Sequence, residues 1–215
     1  MEALIAGLVI GLGSGAAPGP LLALAIATTL RRGLRSGLAV ACGPLVSDAL
    51  IIALSVTVVS QLPATFVTVL SLVGGLVIGA FGIETLRAAR TADVAALRAA
   101  PSPRPSGRLA RFADHPLVQA TVINLLNPAP WIFWITAGST LLIGFWEVSP
   151  LAAAAYLVAF YVGLVGSKAL IVAGVAAGRH RLSTRGYRWI LGVVGALLLV
   201  VAATFLVRAA ATLAC

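Results

Sequence analysis

The sequence predicts an all-α integral membrane protein: six transmembrane helices, arranged as two inverted three-helix repeats, with helices one and four broken. Three observations predict the class. Hydrophobic residues make up 60% of the 215, and the mean hydropathy is +1.08. Charged residues make up 10%, against roughly a quarter in an ordinary soluble domain. The charges also fall between long apolar runs instead of being spread along the chain. Too little polar surface remains to cover a core in water, so the outer surface must face lipid.

A span needs about 20 apolar residues, and charge-free stretches bounded by breakers give six: 3–30, 37–60, 65–86, 117–145, 150–177 and 189–208. The first opens Met1-Glu2, with no basic segment before a run too long for a signal peptide, and reads as a retained span. The turn Gln61-Leu62-Pro63 separates the second from the third. The segment 91–115 is basic and carries Pro101-Ser-Pro-Arg-Pro-Ser-Gly107, a linker composition; its start, Thr91 to Ala100, is expected to form a short surface helix. The chain thus divides into a first repeat, 1–90, a basic loop, 91–115, and a second repeat, 116–215.

Sidedness follows from the arginines. With six spans, loops 1–2, 3–4 and 5–6 share one face and hold 13 of the 15 basic residues. By the positive-inside rule that face is cytoplasmic and both termini lie outside. Losing or adding one span would destroy this asymmetry, which supports the count. The net charge of +9 is explained by topology and not by nucleic acid, since the arginines do not share one face of a soluble domain. Trp146, Tyr187 and Trp189 fall at span ends, where amphipathic rings anchor at the headgroups. Glu84, ending the third span, is expected in the same layer, and His115 and His180 in solvated loops.

The two halves resemble each other. Gly43-Pro-Leu-Val-Ser-Asp-Ala-Leu-Ile-Ile52 lies against Gly163-Leu-Val-Gly-Ser-Lys-Ala-Leu-Ile-Val172 at an offset of 120. The same offset relates Gly75 to Gly195, and an offset of 110 relates Pro18-Gly19-Pro20 to Pro128-Ala129-Pro130. Three spans is an odd number, so the second half must enter from the opposite face. Each proline triplet falls near the middle of its span, where missing N–H donors break a helix. Broken backbone at that depth is tolerated only inside protein or beside a wet cavity. The half-helices that follow would aim positive N-terminal ends at such a cavity, which suits a carboxylate. Asn124 and Asn127 add amides beside the second break. The plainer reading of both breaks is a pair of structural kinks.

Asp48 and Lys168 are the two charges deep within spans, at matching repeat positions. An isolated charge at the bilayer centre costs about 2.5–3.5 kcal/mol on the translocon scale, so a facing pair is the economical inference. Pro44, one turn before Asp48, loosens the second span there. The pair reads either as a fixed tie between repeats or as a pair that opens for a zwitterion. In the second reading Asp48 takes an ammonium group and carries the coupling proton, while Lys168 and the half-helix ends take a carboxylate. Gly7-x3-Gly11 and Gly75-x3-Gly79 have the GxxxG close-packing pattern, which admits a homodimer as well as packing within one bundle.

Other chemistry lacks residues. Cys42 and Cys215 form no CxxC, and no Cys/His cluster has metal-ligand spacing, so no metal site or cofactor is expected. Ser47 beside Asp48 has no histidine at depth to activate it, which argues against an enzyme. A divalent metal-ion exporter of a related fold remains the alternative, although one Asp beside a Lys is a poor ligand set for a cation.

The run Gly11-x3-Gly15-x2-Pro18-Gly19-Pro20, then Arg32-Gly33, Gly37, Gly43 and Asp48, resembles the first half of the lysine exporter (LysE/RhtB) amino-acid translocators. Asn124-Leu-Leu-Asn-Pro128-Ala129 resembles that family's second-half signature, and the likeness covers nearly the whole chain. It implies proton-driven export of amino acids or small derivatives across a bacterial inner membrane. It also carries the broken-helix roles onto Pro18, Gly19, Pro20, Asn127 and Pro128, and the second-span acid onto Asp48. Trp131 and Trp134, three apart, either line the route and restrict substrate size or pack one helix face.

Overall fold

The computed structural model describes residues 1–17, 19–91, 115–177 and 184–214, and all regular structure among them is helical. Pro18, His180, Cys215 and nearly all of the basic loop 91–115 lie outside the described residues. The expected surface helix starting at Thr91 lies there too, apart from Thr91 itself.

The first apolar run forms two helices, α1 (Glu2–Ala16) and α2 (Pro20–Arg32), bent by 63° at the break. Gly33, at φ 86, turns the chain into α3 (Leu34–Ala41), a left-handed conformation that glycine adopts without strain. α4 (Gly43–Val59) continues α3 after an interruption at Cys42. Pro44 has no N–H to offer the Val40 carbonyl, so the expected loosening of this span becomes a break between helices. α5 (Ala64–Thr91) is one helix and runs past Glu84.

The fourth run is subdivided. α6 (Pro116–Leu126) stops at Asn127, which is extended, and α7 (Pro128–Phe133) follows. A π-helical turn over Trp134–Gly138 then leads into α8 (Ser139–Val148). α9 (Pro150–Ala176) and α10 (Thr184–Ala214) are continuous, and α10 begins several residues before the expected start of its span. Five stretches are long and apolar enough to cross a membrane, and the bent α1–α2 pair makes six.

The surface of α4 shows what solvent the fold requires. Pro44, Ser47, Asp48, Ile51, Ser55 and Val59 are buried on one face. Leu50, Leu54 and Val58, four residues apart on the other, are about half exposed. A continuous apolar stripe of this kind would aggregate in water but is at home against lipid tails. This is a multi-pass membrane protein.

Two helix pairs form the centre, α1 with α9 and α5 with α10, and α4 leans on α6 to α8. Glycine sets these distances. A Cβ on Gly163 would lie 2.8 Å from both the Leu12 nitrogen and the Leu8 oxygen, so α1 and α9 touch backbone to backbone. The Gly7 and Gly11 faces are used in the same contact, against Tyr156 and Phe160. That GxxxG patch is therefore occupied within the chain. Near the arginine-bearing ends, Ile26, Val175 and Leu191 share one apolar cluster with Ala88 and Ala89. The ends of α2, α5 and α9 and the start of α10 thus meet at one end of the bundle, which carries Arg31, Arg87, Arg90 and Arg188.

Candidate functional site

A cavity of ≈ 420 Å³ opens between the helix breaks. Of the residues expected to form a site, Gly19, Pro20, Asp48, Asn124, Asn127 and Lys168 line it, while Pro128 starts α7 without lining it and Pro18 lies outside the described residues. Asp48 and Lys168 are 3% and 4% exposed, so both charges sit inside protein and neither snorkels to the surface.

Each charge has its own partners. The Asp48 carboxylate accepts from Asn124 Nδ2 at 2.7 Å, Tyr161 Oη at 3.3 Å and Ser47 Oγ at 3.5 Å. Asn124 Nδ2 also reaches Ser47 Oγ at 2.8 Å, and Trp134 lines the same cavity. Lys168 Nζ donates to the backbone oxygens of Ser14 at 3.3 Å and Gly15 at 3.2 Å. The chemistry of the break explains this choice. Pro18 has no N–H, so the Ser14 carbonyl, four residues earlier, has no helical donor and is open to the ammonium group. The C-terminal end of α1 is also the negative end of its dipole, where a cation is favoured.

The second break is satisfied locally. Asn127 Oδ1 accepts from the Ala129 amide at 3.1 Å. That leaves the Leu125 carbonyl without its helical donor, and Trp131 Nε1 supplies one at 2.9 Å. Trp131 and Trp134 therefore separate in role: Trp131 caps the break, and Trp134, 1% exposed, lines the cavity. Phe133, Trp134 and Phe160 form its apolar floor, with ring centroids 5.2–5.6 Å apart. Glu84, expected among headgroups, is exposed and lines the cavity on the arginine side, beside Thr85.

Tyr161 was not singled out by its sequence context. It lies seven residues before Lys168, two turns away on the same face of α9, and that spacing was the available signal. Ser47 stood out in the repeat, yet nothing in the sequence tied it to Asn124.

A buried acid and a buried base thus share one cavity inside a lipid-facing helical bundle of a membrane protein. The chain belongs to the LysE type translocator family, whose sequence model matches residues 14–209. No curated protein and no solved structure matches the chain.

Proposed function

We propose that the protein is a secondary active exporter of amino acids or small amino-acid derivatives, coupled to protons, in a bacterial inner membrane. One observation carries the reading: Asp48 and Lys168, buried and oppositely charged, line the same cavity beside the helix breaks. The substrate's ammonium group goes to Asp48. Its carboxylate goes to Lys168 and to the start of α2, where the Leu21 and Leu22 amides lack helical acceptors and both residues line the cavity. Asp48 also carries the coupling proton.

Alternating access between two inverted repeats, 1–90 and 116–215, joined by the basic loop 91–115, supplies the movement. Contacts that recur under the sequence offsets support this pseudo-symmetry. Gly75 meets Leu206, and their mates at an offset of 120, Gly195 and Leu86, meet each other. Gly79 meets Ala202, and likewise Gly82 meets Leu199. Gly43 packs on Ala120 and Thr121, as Gly163 packs on Leu8 to Leu12 near their mates at an offset of 110. The charges follow the rule as well: Asp48 is held by Asn124, and Lys168 by the oxygen of Ser14, the position equivalent to Asn124. α1–α2 and α6–α7 are on this reading single spans broken at depth. The arginine-bearing end faces the cytoplasm and both termini face the periplasm.

The alternative, a divalent metal-ion exporter, has less support, because among the described residues no three His, Cys, Asp or Glu side chains come together. The test is efflux of a panel of labelled amino acids from loaded proteoliposomes, with and without a protonophore. Gradient-dependent efflux of a subset, lost in Asp48→Asn, supports the reading. Silence across the panel from correctly inserted protein overturns it.

A further inference from the structure

Beyond the aromatic floor, away from the arginine end, three hydroxyls are buried without a use. Ser55, Ser139 and Tyr156 are 2%, 0% and 0% exposed, and none has a hydrogen-bond partner. Helical serines and threonines have a ready remedy, donation to the carbonyl four residues back. Thr29, Ser47, Thr136 and Thr140 all use it. Ser55 and Ser139 do not.

The three lie at one level. Ser55 follows Asp48 by seven residues on the same face of α4. Tyr156 precedes by five Tyr161, which reaches Asp48. Ser139 follows Trp134 by five. At about 1.5 Å per residue, each lies roughly 7–11 Å beyond Asp48, on the side away from the arginines. α4 packs on α8, and α8 on α9, so the hydroxyls belong to adjoining helices.

The same side is sealed more tightly than the other. A Cβ on Gly74 would lie 2.8 Å from Ala137 Cα and 2.9 Å from its nitrogen, so α5 and the π-turn meet at the backbone. The mates of Gly74 and Ala137 under the sequence offsets are Val194 and Ala27, on α10 and α2. Near the arginine end those helices share an apolar cluster of longer side chains, Leu22, Ile26 and Leu191, with Ile171 and Val175 of α9.

We propose that Ser55, Ser139 and Tyr156 line the exit half of the route, shut here by the aromatic floor and the Gly74–Ala137 contact. When that contact opens, the hydroxyls gain water and the charged ends of a polar solute as partners. The inference rests on the translocation reading above and adds where the solute leaves.

The test uses single cysteines in a Cys42→Ala, Cys215→Ala background, with a membrane-impermeant maleimide applied to either face of sealed vesicles. Glu84→Cys should react from the arginine face, and Ser139→Cys and Ser55→Cys scarcely from either. Adding Gly74→Val, which gives this position the residue of its mate, wedges the seal. It should raise labelling of Ser139→Cys and Ser55→Cys from the opposite face by about tenfold or more and lower that of Glu84→Cys. Unchanged exit-side labelling in inserted protein, or labelling of Ser139→Cys from the arginine face, overturns the proposal. Should Gly74→Val fail to insert, Gly74→Ala and the parent background under an imposed gradient decide by the same comparison. Alternating labels without amino-acid efflux would keep this exit and remove the amino-acid reading. Efflux with silent exit cysteines would do the reverse.

Discussion

Asp48 shows how a carboxylate is kept inside a membrane protein. Its oxygens face Asn124, Tyr161 and Ser47, three donors from three helices. Asp48→Asn keeps the shape and removes the charge, so it should insert and fold while losing gradient-driven efflux, read by transport beside detergent-extracted yield. Asn124→Leu is the harsher change. It strips the shortest hydrogen bond from a buried carboxylate, which costs about 1–3 kcal/mol or more. It should lower the thermal midpoint of the purified protein more than Asp48→Asn does; equal midpoints would show that Asn124 is not supporting the acid. At this scale the sequence was readable for charges and poorly readable for neutral partners. A lone Asp or Lys in an apolar run announces itself by its desolvation cost. Tyr161 is amphipathic and ordinary in a membrane helix, so only folding reveals that it turns its donor on Asp48.

Breaks and close packings belong to the scale of the element. Proline made both helix interruptions legible, because the missing N–H is written in the sequence, whereas at Pro44 the sequence indicated only a loosening and the structure has an interruption at Cys42. The π-turn at Trp134–Gly138 was not legible. It contains no proline, and it lies where packing is close, with Gly138 tight against the Trp134 ring and Ala137 against Gly74. Glycine spacing indicated close approach without naming the partner helix. The structure now distinguishes related positions. A Cβ on Gly75 would meet the Leu206 side chain, which can rotate away. One on Gly195 would meet backbone atoms of Gly82 and Leu86, at 3.0 Å each, as well as the Leu86 side chain. Gly195→Ala should therefore cost about 1–3 kcal/mol, the usual range for overpacking, and Gly75→Ala less. Thermal unfolding of the two variants in detergent checks the order, and equal losses would contradict the rigid α5–α10 contact.

For the whole molecule, the two charges that share the cavity are not interchangeable. Asp48 faces the amide of Asn124, a group with both a donor and an acceptor end, which can turn its oxygen toward a cation. Lys168 faces the oxygens of Ser14 and Gly15, which only accept. The double change Asp48→Lys with Lys168→Asp therefore fails on one side only. The new ammonium group finds an acceptor in a turned Asn124. The new carboxylate points at two carbonyl oxygens in a buried site, where an uncompensated charge costs about 3–5 kcal/mol. Asp48→Lys paired with Lys168→Met, which removes that clash, should recover folded protein that the full swap does not. Monodisperse yield from detergent extraction reads both. A full swap that folds as well as the parent would mean that α1 shifts to cover the carboxylate, and that the break at Pro18 is not what holds Lys168 in place.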